Sequence, residues 1–392
     1  MRGVLTIGLL VTALTGLLPA MALTQTSQFG TRGLGLPARP YSAHALGMGG
    51  GLALFDNASG LSPASLGSLR SLQAGGMATS NWRTSRNPAG EGTGRDTRYP
   101  MVQAAGPIFT NEFGVVRLVG GVSLTAYSDR NFTLASSDSL TIRGTRYEVL
   151  DTLVSLGGLA DVRLAAAYNL SPDLTIGGGL HLVTGSTTMR AVRVVNSPLY
   201  QRAAEQAEIS YLGYGASVGV QAQLGSRVSL AGVARFDAPL RVERDTLRVG
   251  TIDLPLLVGG GIEYAAHSRL RLAGHVIHRG WSSSSESIEE LGGLGARSTV
   301  EAAGGLEWAT SRGNVTRWPL RLGVHHSTLP FPVQAGGEGR ETGVSIGTGG
   351  QFGLGGRGSL DMALARVWRS EGVTHRESAF LFSVGLSIRP TN

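Results

Sequence analysis

Hydrophobic and polar residues alternate along most of the chain after residue 70. Successive side chains of a β-strand point to opposite faces, so this period of two predicts strands rather than helices. Residues 161–169 and 211–224 show the pattern, and the C-terminal stretch shows it most clearly. One face of that last strand carries Phe380, Phe382, Val384, Leu386 and Ile388. The opposite faces are small or polar, which is typical of a barrel wall around a lumen.

Fourteen such segments can be counted, and membrane barrels have an even number of strands. Boundaries carry errors of a few residues, so twelve or sixteen strands stay open. Short turns alternate with long connections, an outer-membrane pattern that a soluble β-sandwich does not predict. The predicted strands are 71–83, 100–110, 112–128, 157–169, 173–190, 207–224, 227–244, 254–266, 269–282, 298–310, 317–328, 341–353, 357–369 and 377–389.

The tryptophans support a membrane barrel. Trp82, Trp281 and Trp368 lie at predicted strand ends next to long connections, and Trp308 and Trp318 lie beside a short turn. These positions suit aromatic girdles at two membrane interfaces. We therefore predict an all-β fold, a transmembrane antiparallel β-barrel of about fourteen strands, with a soluble secreted β-protein as the alternative.

The first residues resemble an export signal. Arg2 precedes an apolar stretch at 4–18, and Ala20-Met21-Ala22 supplies a small-x-small cleavage site. An N-terminal membrane anchor is the alternative, but the stretch is short for a spanning helix and ends at Pro19. We predict a signal peptide at 1–22, an N-terminal hatch at 23–69 and a transmembrane barrel at 70–392.

Composition excludes several classes of function. The chain has no Cys, so it has neither a disulfide framework nor a thiolate site. All 34 basic residues are Arg, and the net charge of +7 is spread along the chain, so we expect no nucleic-acid partner. The 59 Gly residues have no collagen period and favour a large β-structure with close strand contacts.

No constellation predicts catalysis, a metal site or a cofactor. His275 and His278 are three residues apart and point to opposite faces of a strand, as do the adjacent His325 and His326. The serine run at 282–285 lacks a nucleophile motif. The GLGGRG stretch at 353–358 joins two strands and does not open a helix, so it lacks the context of a phosphate loop. We expect a protein that is not an enzyme.

The inner face of the predicted wall carries scattered polar groups. One interpretation is that these groups are simply the polar lining that any lumen has. The alternative is that they select solutes. The residues are Asp161, Arg163, His181, Arg235, Glu263, Arg271, His275, Glu301, Glu307, Arg321 and Asp361.

The stretch GMGGGLALFDNASGLSPASL at 47–66 resembles the hatch signature of the FadL-like family of hydrophobic-compound transporters. Residues 157–180 resemble the mid-barrel region of that family. Ser62 stands where the family usually has Asn, and Ser65 where it has Gly. The positions that correspond to the hatch signature are Gly47, Met48, Gly49, Gly50, Gly51, Asp56, Asn57, Ala58, Ser62, Pro63, Ala64 and Leu66.

This resemblance implies a fourteen-stranded barrel in the outer membrane, plugged by a hatch. Its members pass hydrophobic or amphipathic small molecules passively into the membrane through the wall or onward past the hatch. Related type IX secretion shuttles bind protein cargo, and a structural or general-diffusion barrel is a third hypothesis. We expect a monomer with outer-membrane lipid and a hydrophobic ligand as partners.

A lateral exit needs a local break in the strand ladder. Gly120 and Gly121, beside Pro107, are the predicted site, because paired glycines permit a kink and proline donates no ladder hydrogen bond. The alternative is ordinary barrel packing.

Overall fold

The computed structural model describes residues 27–88, 90–309, 318–353 and 356–390. The predicted signal peptide at 1–22 and the predicted turn at 310–317 lie outside the described residues. Among the described residues, no helix is long and apolar enough to cross a membrane.

Strands make up most of the described chain, and the helices are short. The helices are α1, Ala43–Gly47, and α2, Ser285–Glu290, with 3₁₀ turns at Gln28–Gly30, Pro63–Ser68 and Trp281–Ser284. The strands are β1 Leu36–Pro37, β2 Gln73–Asn87, β3 Gly90–Thr110, β4 Val116–Asp129, β5 Phe132–Ile142, β6 Thr145–Ser171, β7 Leu174–Val195, β8 Ala203–Leu224, β9 Val228–Asp237, β10 Leu240–Arg244, β11 Leu247–Ile252, β12 Leu257–His267, β13 Leu270–Arg279, β14 Thr299–Trp308, β15 Leu320–Thr328, β16 Gly339–Phe352, β17 Gly358–Glu371 and β18 His375–Ile388.

Fourteen of these strands close into an antiparallel barrel: β2 to β4, β6 to β9 and β12 to β18. The ring closes where β18 pairs with β2, from Arg376 opposite Arg86 to Ile388 opposite Ala74. Closure provides each wall strand with a neighbour on both edges, which a backbone in lipid requires. The prediction of an all-β barrel with about fourteen strands is confirmed.

Several predicted loops at one end of the barrel are strands instead. The predicted loop 84–99 consists mostly of the paired ends of β2 and β3, and the predicted loop 129–156 contains β5 paired with β6. The predicted strand 227–244 divides into β9 and β10, and β10 pairs with β8 and β11. These hairpin ends lie beyond the region of regular apolar alternation, so period-two patterning did not reveal them.

The two faces of the wall differ as the alternation predicts. In β6, Leu164, Ala166 and Tyr168 are exposed on the outer face, whereas Asp161 and Arg163 are buried on the inner face. An exposed apolar outer face and a polar inner face are the arrangement of a barrel in lipid.

The tryptophans divide into two groups. Trp82, Trp308, Trp318 and Trp368 are between 38% and 54% exposed, as a girdle requires. Trp281 is only 2% exposed, so its prediction as a girdle residue is wrong. The chain turns into a 3₁₀ helix at that residue, and the indole packs into an apolar cluster.

Residues 27–69, here called the N-terminal segment, run along the inner face of the wall. Their β1 pairs with the C-terminal end of β4, at the end of the barrel that carries the extended hairpins, which is called the upper end here. The following α1, capped by the Ser42 hydroxyl, packs against β15 to β18, and the 3₁₀ turn Pro63–Ser68 packs against β6 to β8. The segment therefore contacts strands on opposite sides of the ring before the chain enters β2.

A charge on the outer face should destabilise the barrel where lipid covers it. We expect Leu164→Arg to lower the free energy of unfolding by about 2–4 kcal/mol, because Leu164 is 63% exposed between Val122 and Leu180 in mid-wall. Equilibrium unfolding in phospholipid vesicles measures this loss. Leu140→Arg in β5 is the control, and equal losses for the two variants would contradict the assignment of the lipid-facing surface.

Candidate functional site

Glycines let the backbone of the N-terminal segment lie directly against the wall. A Cβ on Gly323 of β15 would overlap the Gly49 nitrogen and the Met48 carbonyl carbon. A Cβ on Gly305 of β14 would overlap the Met48 carbonyl in the same way. Gly49 has a φ of +68°, a conformation that side chains disfavour. Within the predicted Gly47-Met48-Gly49-Gly50 motif, Gly49 therefore lies where a side chain would not fit.

The remaining predicted hatch residues form the turn that follows. The Asp56 carboxylate accepts hydrogen bonds from the Ser42 and Ser59 hydroxyls and from the Ala58 amide. The Asn57 side chain donates to the Ser68 hydroxyl at 2.8 Å. These bonds close residues 42–68 into a compact unit.

Ser62, Pro63 and Ala64 begin the 3₁₀ turn Pro63–Ser68. Ser62 is the N-cap residue and Pro63 follows it at the first position, where its missing N–H costs nothing. The Ser62 hydroxyl is fully buried and makes no hydrogen bond with the described residues. A Cβ on Gly177 of β7 would press on the Ala64 nitrogen, so a wall glycine accommodates this turn.

Charged groups tie the upper part of the segment to the wall. Arg39 forms ion pairs with Glu301 and Glu341, and the Tyr41 hydroxyl donates to Glu301 at 2.7 Å. Burial raises the pKa of Tyr41, and the Glu301 charge raises it further, so this phenol stays protonated as a donor. Ser27 donates to Glu377 at 2.9 Å.

A second group of charges lies below α1. The His44 ring lies 2.8 Å from Glu307, which also accepts from Arg321 at 2.7 Å and from Arg271 at 2.6 Å. Arg321 in turn donates to Asp361 at 2.7 Å. The scattered inner-face residues predicted from sequence are thus joined into networks, several of which include the N-terminal segment.

Above α1 lies a cavity of about 270 Å³ between the N-terminal segment and the wall. Its apolar lining includes Leu36, Pro37, Leu46, Met77, Ala363, Ala365, Val367 and Leu381. Its charged lining comprises Arg39, Arg83, Asp96, Arg98, Asp129, Arg279, Glu301, Glu341 and Arg369. Small-molecule sites usually combine apolar side chains with convergent polar groups, and this lining has both, with nine charged residues among them.

Trp281 connects the cavity lining to a buried apolar cluster near the extended hairpins. Its indole packs edge-on against Phe331 at a ring separation of 5.1 Å. Leu34 and Ile288 of α2 belong to the same buried cluster.

A second cavity of about 190 Å³ lies on the other side of α1. Its lining includes His44 and Asp56 of the segment and Gly385 of the wall. Met77 lines both cavities.

The residues predicted for a lateral exit lie in a fully paired part of the wall. Gly120 pairs with Gly106 of β3 and Ala166 of β6, and the register shifts only beyond Pro107. These residues line a concave groove of about 1190 Å³ that also includes Gly178 of β7. Glycine and alanine residues of several neighbouring strands line this groove together with larger side chains such as Ile108 and Leu164.

The ladder between β3 and β4 ends higher up, above Met101 opposite Thr125. From there β1 of the N-terminal segment takes the free edge of β4, pairing Leu36 with Asp129. Arg98 of β3 reaches across to Asp129 in an ion pair. At this place the wall is completed by the N-terminal segment and a salt bridge instead of by a continuous ladder.

Three inner-face side chains are hydrogen-bonded in the order Asp, His, Ser, as in the catalytic triad of a serine hydrolase. His181 lies 2.9 Å from Asp161 and 2.8 Å from the Ser217 hydroxyl. However, Arg235 also binds Asp161 at 2.5 Å, and Ser217 is 3% exposed. Because a nucleophile must be reached by its substrate, we interpret these residues as a structural network of the wall.

No protein-family model matches the chain, and no curated protein matches it. Several solved structures do match the chain. A Pseudomonas aeruginosa FadL homologue covers 90% of this chain and 99% of its own, at 12% identity and a TM-score of 0.61. This is the FadL-like fold. The monoaromatic hydrocarbon channel CymD covers 91% of this chain and 98% of its own, at 14% identity and a TM-score of 0.55. The Pseudomonas putida toluene transporter TodX covers 94% of this chain and 99% of its own, at 14% identity and a TM-score of 0.54.

The FadL-like barrel and its apolar outer face indicate an outer-membrane location, as predicted. Sequence analysis did not single out Arg39, Tyr41 or Arg83. Their partners lie far away in the sequence, and no local motif marks them.

Substituting Gly323, the wall glycine that contacts the N-terminal segment, should loosen the packing of that segment inside the barrel. We expect Gly323→Ala to increase protease cleavage within residues 27–69 and to raise ion conductance, because its Cβ overlaps the Gly49 nitrogen. Gly304→Ala on the adjacent strand is the matched control, since its Cβ meets only a carbonyl oxygen at 3.9 Å. Identical behaviour of the two variants would contradict the close approach.

Proposed function

We propose that this FadL-like barrel lets hydrophobic or amphipathic small molecules cross an outer membrane passively, with residues 23–69 acting as a hatch. The observation that carries the proposal is the apolar-lined cavity of about 270 Å³ between the N-terminal segment and the wall. A general-diffusion pore needs a wide polar lumen, whereas here the N-terminal segment lies inside the barrel and an apolar cluster that includes Trp281 adjoins the cavity.

The names of similar structures point in the same direction. CymD is called a monoaromatic hydrocarbon channel and TodX a toluene transporter. A compact apolar chamber suits ligands of this kind. We therefore propose transport and not catalysis.

Release through the wall is part of the proposal. The groove at Pro107, Gly120 and Gly121 is the place predicted from the sequence, but opening it breaks a paired ladder. Parting β1 from β4 breaks only a short pairing and the Arg98–Asp129 ion pair. Fewer hydrogen bonds are lost in the second case, so we favour release between the upper parts of β3 and β4.

Removal of the hatch should open the lumen. We expect the mature protein in planar bilayers to pass little current, and deletion of residues 23–69 to produce a steady, larger conductance. Heat-modifiable mobility on gels verifies that the deleted form is still a folded barrel. A wide pore in the intact protein would contradict the hatch and favour a diffusion barrel.

A disulfide between the segment and the wall tests whether the hatch must move. A Cβ on Gly385 would lie 3.1 Å from the Ala43 Cβ, and the chain has no cysteine of its own. Disulfide geometry needs a slightly longer separation, which small shifts provide. We expect Ala43→Cys with Gly385→Cys to block toluene uptake by cells when oxidised and to restore it on reduction.

Each single-cysteine variant is the control and should transport under both conditions. Undiminished uptake by the oxidised pair would show that the segment stays in place during transport. A protein that co-purifies with the barrel, in the absence of any uptake, would support the secretion-shuttle hypothesis instead.

A further inference from the structure

Two arginines and two aromatic residues form a row on the outer face of the wall. Arg95 of β3 lies opposite Trp82 of β2, and Trp82 lies opposite Phe380 of β18. Phe380 in turn lies opposite Arg366 of β17. Directly opposite residues share one face of a sheet. Trp82 and Phe380 are exposed, so the row, here called the arginine–aromatic row, points away from the lumen.

The arginine–aromatic row lies at the upper edge of the apolar outer face. Below it, Phe382 of β18 and Leu364 of β17 lie opposite each other and are exposed. Above it, Thr84 of β2 lies opposite Ser378 of β18. The extended hairpins mark the extracellular end of an outer-membrane barrel. The row therefore lies where the hydrocarbon of the outer leaflet meets its headgroups.

The two guanidinium groups stack on the aromatic rings of the row. The Cζ atom of Arg95 lies 5.3 Å from the centre of the Trp82 ring. That of Arg366 lies 4.1 Å from the centre of the Phe380 ring, and one Arg366 nitrogen donates to the Ser378 hydroxyl at 3.0 Å. Each arginine thus leans over its neighbour towards the middle of the row, so the two charges converge on one place.

These charges have no counter-ion in the part of the chain that the structure describes. Higher on the same face of β2, Arg86 forms an ion pair with Glu91 at 2.7 Å. Arg95 and Arg366 have no such carboxylate partner among the described residues. An unneutralised charge at the edge of the hydrocarbon is costly, and an anionic headgroup removes that cost.

We propose that the arginine–aromatic row binds a glycolipid of the outer leaflet that carries two phosphate groups, with one phosphate on Arg95 and the other on Arg366. Its acyl chains lie against the apolar face below, at Phe382 and Leu364. A guanidinium binds phosphate through parallel charge-assisted hydrogen bonds, and two converging guanidinium groups suit a headgroup with two phosphates. This site lies outside the barrel and does not depend on the proposed transport function.

The first test compares lipids on the unmodified mature protein. Native mass spectrometry in detergent measures the dissociation constants of bis-phosphorylated lipid A, of the same lipid without its phosphates, and of phosphatidylglycerol. We expect one molecule of bis-phosphorylated lipid A per barrel, bound at least about tenfold more tightly than either other lipid. Equal binding with and without the phosphates would overturn the proposal. Phosphatidylglycerol binding as tight as that of lipid A would also overturn it.

The second test removes the two guanidinium groups. Arg95→Gln combined with Arg366→Gln should weaken binding of bis-phosphorylated lipid A at least about tenfold and leave binding of the dephosphorylated lipid within about twofold. The matched control is Arg143→Gln combined with Arg202→Gln, which removes two charges from exposed connections and should change neither value.

Gel mobility before and after heating verifies that both double variants are folded barrels. A folded variant without Arg95 and Arg366 that still prefers the bis-phosphorylated lipid would overturn the proposal. An equal loss of binding in the control variant would do so as well, because it would show that only the net charge of the protein matters.

Discussion

The absence of water from the hydrocarbon core is the constraint on which this structure depends, because each backbone N–H and C=O group there needs a partner in the chain. Pairing of β18 with β2 closes the ring and removes both edges. Where a wall strand ends early, another segment takes its place: β10 continues along β8 above β9, and β1 occupies the edge of β4 that β3 leaves. The N-terminal segment thereby completes the wall as well as lining it.

Closure also determines the inner face. A strand that shows apolar residues to lipid turns every other side chain inwards, and here many of those are charged. Buried charges need partners, and the N-terminal segment supplies several: Arg39 for Glu301 and Glu341, and His44 for Glu307. Several buried polar groups of the described residues remain without a hydrogen-bond partner, including groups on Asn81 and Arg83 of the cavity lining and on His275.

Sequence patterns predicted the site unevenly. The glycine motif at 47–51 was recognisable because a close backbone approach leaves a local signature, and the structure places Gly49 directly on Gly323. Arg39, Tyr41 and Arg83 carry no such signature, since their environments are built from strands distant in the sequence. Trp281 was assigned to the wrong environment because a strand end and a buried loop both accept an indole. The lateral-exit prediction depends on backbone pairing, which composition does not reveal.

The sequence by itself determined the class of the fold: the period of two, the alternation of turns and longer connections, and the apolar outer face suffice to define a membrane barrel with about fourteen strands. These are local properties, repeated in every strand. The tertiary structure alone decided which inward side chains meet, because closure of the ring brings residues such as Ser27 and Glu377 together across 350 positions. The course of the N-terminal segment, the size of the cavity and the unsatisfied N–H groups of Arg83 all follow from those long-range contacts.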